Sequence, residues 1–174
     1  MRSPSNREIF SQLYDEFMPK VFAYIHYRVN DRQTTEDLTS IVFEKAMVNF
    51  SKYSSDKAAF STWLFAIARN SVIDYFRTDA KRRHVDLDGE NIDVASSEPS
   101  PGEQMEKQSE KECLLNCLSK LGDQDQEIVR LKFAAEMTNR QISKMLKLSE
   151  SNVGVRLFRA MRRLREDFQE SWNG

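Results

Sequence analysis

Residues 138–168 narrow most sharply what this chain can fold into. Thr138-Asn139-Arg140-Gln141 has the form of a capping box. The threonine hydroxyl accepts from the Gln141 backbone N–H while the Gln141 side chain reaches back. Ile142, Met145 and Leu146 then supply a short apolar stripe, Lys147-Leu148 make a turn, and Ser149 is placed to cap a further helix. In that helix Val153, Leu157, Ala160, Leu164 and Phe168 recur at spacings of four and three, one face of a helix. Arg156, Arg159, Arg162, Arg163 and Arg165 fall mostly off the stripe, and no acid interrupts them before Glu166. The stripe holds the helix on its neighbours and leaves the arginines for phosphates and base edges. A charge run on a small bundle is more often a solvated face. Here a capped short helix, a tight turn and segregated arginines coincide, and together they favour a DNA-reading helix-turn-helix.

The rest of the chain also reads as helix. Five glycines and four prolines in 174 residues are too few for a turn-rich β fold. Arg7 to Arg28 carries Phe10, Leu13, Phe17, Val21, Tyr24 and Ile25 on one face, and Pro19 is expected to kink or break it near Phe17 or Met18. Asn30-Asp31-Arg32 is a turn. Thr34 or Thr35 is expected to cap a second helix reaching about Asn49, with Glu36 and Asp37 suited to its first turn. Leu38, Ile41, Val42 and Ala46 face the core, leaving Asp37, Ser40 and Glu44 on another face with Ile41 at its edge. After a polar loop, a long helix runs from Phe60 to about Ala80, with Ser61 as a candidate cap. Phe60, Trp63, Leu64, Ile67 and Ser71 lie in line, and Arg69, Asn70, Asp74 and Arg77 lie off it. Further on, Ser109 to Leu121 aligns Leu114, Leu118 and Leu121 with Cys117 beside them. Gly122 ends that helix and Asp123 caps the next, where Ile128, Leu131 and Ala135 pack.

The loop of Lys52, Tyr53, Ser54, Ser55, Asp56 and Lys57, next to Phe60 and Trp63, is suited to an unstacked base. Stacking on an aromatic ring contributes roughly 1–3 kcal/mol per base, and lysines neutralise the strand's phosphates. Trp63 reads as mainly core and Tyr53 as the contact residue.

A net charge of −1 argues against a simple basic nucleic-acid binder, but the distribution matters more than the sum. Between Val85 and Glu112 nine acids face only Lys107 and Lys111. Arg77, Lys81, Arg82 and Arg83 precede this stretch and the arginine helix follows it. His84 to Gln108, with Ser96, Ser97, Pro99, Ser100 and Pro101, shows no periodicity and is expected to be a disordered acidic linker. Cys113 and Cys117 lie within a leucine pattern, and with only His26 and His84 elsewhere they read as core residues, not metal ligands. No cofactor or metal is expected. A P-loop, a dinucleotide fingerprint and a metal-ligand cluster are all lacking, which disfavours an enzyme. With no signal-peptide pattern and no apolar run of spanning length, a cytoplasmic protein without membrane insertion is expected.

Three segments, in order, resemble the extracytoplasmic-function group of sigma factors, minimal promoter-recognition subunits of bacterial RNA polymerase. Glu36-Asp37-Leu38-Thr39-Ser40-Ile41-Val42-Phe43 resembles that family's polymerase-binding helix. Phe60-Ser61-Thr62-Trp63-Leu64-Phe65-Ala66-Ile67-Ala68-Arg69-Asn70, with Asp74 and Arg77 following, resembles its promoter-melting helix. Leu121-Gly122-Asp123, Gln141-Ile142-Ser143 and the run from Ser151-Asn152-Val153 through Arg159-Ala160 resemble its promoter-reading domain. The chain departs from the family at Ser40, where Gln is common, at Lys147, where Gly is usual, and at Gly154-Val155, which replace a polar, often basic pair.

The resemblance implies an all-α chain of two small helical domains joined by a flexible acidic linker, the C-terminal domain containing the helix-turn-helix. Residues 1–83 would bind core polymerase and melt the promoter, 84–108 would be the linker, and 109–174 would read the upstream element. It implies polymerase contacts at Asp37, Ser40, Ile41 and Glu44. The melted element would be held by Lys52, Tyr53, Ser54, Ser55, Asp56, Lys57, Phe60, Arg69, Asn70 and Arg77. Duplex contacts would come from Ser149, Ser151, Asn152, Gly154, Val155, Arg156, Arg159, Arg162 and Arg163. Core RNA polymerase, promoter DNA and an anti-sigma factor are the implied partners of a chain expected to be monomeric when free. The acidic linker would suppress non-productive DNA binding or mimic nucleic acid in a basic channel. A stand-alone helix-turn-helix regulator is the alternative. It would normally dimerise on two half-sites and leaves the tryptophan-bearing helix without a task.

Overall fold

A computed structural model describes residues 5–85 and 112–173, and every regular element among them is a helix. Contacts divide the chain into two compact units, Met1–Val94 and Ala95–Gly174.

Unit 1 packs three helices, α1 (Asn6–Val29), α2 (Arg32–Asn49) and α3 (Phe60–Val85), each against the other two. α1 begins with a capping box that sequence reading passed over. The Ser5 N–H donates to Glu8 Oε2 at 2.7 Å, and the Ser5 hydroxyl accepts from the Glu8 N–H at 3.3 Å. The backbone and side-chain bonds from Ser5 hold the Glu8 carboxyl below its ordinary pKa. The expected break at Pro19 does not occur, and α1 runs through it. Proline removes one helical hydrogen bond at a cost near 3 kcal/mol. Phe17, Val21, Tyr24 and Ile25 flank it and are all buried, and burial of that size offsets the loss.

α1 closes at Asn30, which takes a left-handed conformation (φ 55°) and donates its N–H to His26 O at 2.9 Å. The cap of α2 is Asp31, not Thr34 or Thr35. The Asp31 carboxylate accepts from the Thr34 N–H at 2.7 Å, and the Thr34 side chain together with that N–H keeps its pKa low. Because α2 begins at Arg32, Glu36 and Asp37 fall beyond its first turn, and Thr35 becomes a buried residue. Leu38, Val42 and Ala46 are buried as expected, joined by Thr39 and Phe43, whereas Ile41 is exposed. α3 starts at Phe60, one residue before the expected cap, with the Ala59 carbonyl accepting from Trp63 N, and extends beyond Ala80 to Val85. Its inward face is Phe60, Leu64, Phe65, Ala68, Ser71 and Val72, while Trp63 and Ile67 are only half-buried. The core is tied by edge-on ring contacts, Tyr24 to Phe65 at 5.6 Å and Phe17 to Phe60 at 5.3 Å.

Unit 2 comprises α4 (residues 112–119), α5 (Asp123–Phe133), α6 (Asn139–Leu146) and α7 (Glu150–Asn173). Cys117, Leu118 and Leu121 join Val129, Ala160 and Leu164 in one core cluster, edged by Cys113, Leu157 and Phe168. Leu114, expected in that line, is exposed. Both cysteines are free thiols in this apolar setting, and burial pushes the Cys117 thiol above its ordinary pKa. Gly122 is not a left-handed terminator. Its φ of −64° places it as the N-cap of α5, its carbonyl accepting from Asp125 N and Gln126 N, so Asp123 is the first helical residue, not the cap. The end of α4 is instead satisfied by a side chain. Gln126 Nε2 donates to Leu121 O at 2.8 Å and Ser119 O at 3.4 Å.

α6 is capped as the sequence predicts: the Gln141 N–H donates to the Thr138 hydroxyl at 3.2 Å, and the Thr138 N–H donates to Gln141 Oε1 at 2.8 Å. Met137 and Ile142, the N′ and N4 positions of that cap, are both fully buried, the placement of a hydrophobic staple. The turn between α6 and α7 is made by Lys147 in the left-handed region (φ 56°, ψ 43°), donating its N–H to Ser143 O. A residue with a Cβ there carries about 1–2 kcal/mol of strain. The Ser149 hydroxyl then caps α7 by accepting from Asn152 N at 3.1 Å. The linker expected over 84–108 lies outside the described residues except for His84 and Val85, whose backbone is helical.

Candidate nucleic-acid interfaces

On α2, Asp37, Ser40, Ile41 and Glu44 are all exposed. Their spacing of three, four and seven residues puts them on one face. Arg32 reaches Glu36 at 2.9 Å, Gln33 donates to Asp37 at 3.3 Å, and the Ser40 hydroxyl donates back to the Glu36 carbonyl at 3.0 Å. Ile41 therefore stands as an apolar side chain, 39 % exposed, within an acidic and hydroxyl rim.

The loop before α3 is built on rings. A short 3-10 turn, Phe50–Lys52, delivers Tyr53, whose ring stacks near Phe50 at 6.1 Å. The same ring meets Phe60 edge-on at 5.5 Å and lies 5.1 Å from Trp63. The Tyr53 hydroxyl donates to Ala58 O at 3.1 Å, closing the loop on itself, and burial raises its pKa. Tyr53 is thus as much a part of the scaffold as Trp63. Phe60 is buried at 8 % exposure, so it supports this cluster instead of offering a face to a base. Lys52, Ser55, Asp56 and Lys57 are exposed around the rings and Ser54 is half-buried. Farther along α3, Asn70 and Arg77 are exposed, Arg77 within 3.0 Å of Asp74, and Arg69 is half-buried.

In unit 2, Ser149, Ser151, Asn152, Val155, Arg156 and Arg159 line one open cleft of about 490 Å³ with Asp125. Helical spacing along α7, with its capping Ser149, brings the first six together. Asp125 comes from the first turn of α5, and no local period in the sequence connects residues so far apart. The Arg156 guanidinium is fixed at two points, Nη1 on Asp125 Oδ1 at 2.6 Å and Nε on Asn152 Oδ1 at 3.0 Å. Arg159 and Arg163 are exposed, as is Arg162, which lies 3.5 Å from Glu166. Gly154 is half-buried. A Cβ there would meet only Asn139 Nδ2 at 3.8 Å, so packing does not require a glycine at this position.

Residues 13–83 match the family described as Sigma-70 region 2, and residues 111–164 match Sigma-70, region 4. Among curated relatives, the sigma factor BldN of Streptomyces coelicolor is 32% identical over 90% of this chain, which spans 59% of the length of BldN. SigM of Bacillus subtilis is 29% identical over 93% of this chain and 96% of its own length. Among solved structures, the sigma factor RpoE of Bartonella quintana, crystallised with the anti-sigma factor NepR, superposes with a TM-score of 0.71. That likeness, at 21% identity over 92% of this chain and 96% of the other, shows a shared fold.

Proposed function

This chain belongs to the extracytoplasmic-function group of the sigma-70 family, and from that premise we propose that it selects promoters by two contacts which core RNA polymerase fixes relative to each other. In this reading residues 1–83 form the polymerase-binding and melting domain, 84–108 the linker and 109–174 the upstream reader. It acts on the cytoplasmic polymerase as a monomer and supplies no catalytic group. The observation that supports it best is the cleft of unit 2. A capped α6, a left-handed turn and a capped α7 bring Ser149, Ser151, Asn152, Arg156 and Arg159 to one concave surface. α7 would enter the major groove there, with its exposed arginines neutralising phosphates and its first turns facing base edges.

Ile41 would seat in the polymerase clamp with Asp37, Ser40 and Glu44 as its rim, the usual anatomy of an apolar centre within polar groups. The ring cluster at Tyr53 would shape a receiver for a base released on strand opening, with Lys52 and Lys57 near its phosphates. Each DNA contact alone is weak, and joining them through the polymerase raises the effective concentration of the second. The anti-sigma factor bound to the RpoE structure is the class of inhibitor expected here as well. Run-off transcription with purified core polymerase on a promoter library tests the proposal. The expected result is start-site-specific transcripts that require both protein and core. Association with promoter DNA that is indifferent to core polymerase would refute it.

A further inference from the structure

We propose that Asp125 is the positioning residue that makes Arg156 a reader of base sequence instead of a general phosphate anchor. The inference rests on the promoter-reading role argued above for α7. A carboxylate in a DNA-facing cleft is unfavourable on charge alone, because it repels the phosphates that supply most of the binding. Asp125 nevertheless lines the same cleft as Ser149, Ser151, Asn152, Val155, Arg156 and Arg159. Its contact with Arg156 is the 2.6 Å ion pair, and the two side chains keep 30% and 36% of their surface exposed. The pair is therefore neither sealed in a core nor a loose surface contact.

Geometry decides what Arg156 is left to do. Nη1 is held by Asp125 and Nε by Asn152, so the plane of the guanidinium is set from α5 on one side and from one turn back along α7 on the other. Neither contact uses Nη2. An unrestrained arginine swings to whichever phosphate is nearest and binds all sequences alike. One with its plane fixed presents a defined donor edge, and only a base pair offering acceptors in matching positions satisfies it. The Asp125 charge also cancels the Arg156 charge toward the phosphates. The pair gives up general affinity and gains discrimination.

The test uses holoenzyme assembled from the full chain and core polymerase, with a pool of duplexes randomised upstream of the start site, sequenced after binding. For the wild type, an upstream element should be enriched. For Asp125→Asn, which keeps the side chain's shape and removes its charge, preference at one base-pair position of that element should fall about fivefold or more. Affinity for the unselected pool should rise, and its salt slope should steepen by up to about 0.9, one added phosphate contact. Asp125→Glu, which retains the carboxylate, should recover most of the lost preference. In an Arg156→Ala background, Asp125→Asn should no longer change base preference. If Asp125→Asn enriches the wild-type element unchanged, or if its effect on preference persists without Arg156, the positioning role is overturned while the promoter-reading function stands. If wild-type holoenzyme enriches no upstream element, the function itself fails and this inference with it.

Discussion

The loop of unit 1 and the cleft of unit 2 are both proposed to meet DNA, yet they are made of opposite materials. The loop is a nest of rings, Phe50, Tyr53, Phe60 and Trp63, with its one phenol hydroxyl turned inward to Ala58. The cleft is lined by hydroxyls, an amide and arginines, with one carboxylate among them. An aromatic receiver has nothing to offer a paired base, so it would act only after strands separate. A charged cleft has its greatest attraction for intact duplex, where phosphate density is highest. The difference teaches that, under the proposed function, the order of events, duplex binding first and opening second, would follow from the chemistry of the two surfaces.

The most severe way to break the comparison is to remove one side of it. Leu64 is fully buried in unit 1, and Leu64→Ala should cost about 2–5 kcal/mol. In calorimetry of the full chain it should lower the unfolding transition of unit 1 and leave that of unit 2 in place. A joint shift of both would show that the two surfaces are not independently supported. Next in size, Tyr53→Ala should reduce transcription from a closed promoter by about tenfold, the scale of one lost stacking platform, and spare a pre-melted template. Equal losses on both templates would make Tyr53 a folding residue alone.

On the other surface, Arg159→Ala should reduce the salt slope of promoter binding by about 0.9. Constancy of the slope would return this arginine to a solvated face. Two backbone substitutions then separate stability from reading. Lys147→Gly should raise the stability of unit 2 by about 1 kcal/mol in denaturant titration by relieving the left-handed turn. Gly154→Ala should add a similar amount through helix propensity, since the structure leaves room for the methyl group, and a parallel loss of upstream binding would mark a close approach of this backbone to DNA. The smallest effect concerns the phenol. The folded Tyr53 pKa lies above its ordinary value near 10, so its contribution to stability is whole below that pH and declines as pH rises through the folded pKa. A spectroscopic phenol titration should lose a late-ionising component in Tyr53→Phe relative to the wild type.

Periodicity made the reader helix legible: Val153, Ala160 and Leu164 are buried, Leu157 and Phe168 half-buried, and Arg159, Arg162, Arg163 and Arg165 exposed. The capping box at Thr138 and the cap at Ser149 were equally plain, because both are local chemistry with a fixed offset. Helix starts were missed where several acceptors competed. Asp31 outranks Thr34 and Thr35 as the cap because its carboxylate meets the third N–H of the helix, and only the turn at Asn30 reveals which N–H that is. Pro19 does not break α1 because four buried residues around it hold the helix together, which a local rule leaves out. Asp125 was invisible for a different reason. Its partner is Arg156, and no spacing rule links the first turn of one helix to the second turn of another two helices later.

The side chain of Gln126 has a consequence of its own. It fastens the last carbonyls of α4 to the opening of α5, and it also accepts from Arg130 Nη2 at 2.6 Å. Asp125 is its immediate neighbour, so the peptide that anchors the incoming chain is the one that carries the carboxylate steering Arg156. The backbone that joins α4 to α5 therefore also sets where the Asp125 carboxylate meets Arg156, and a change at Gln126 would be felt at that ion pair.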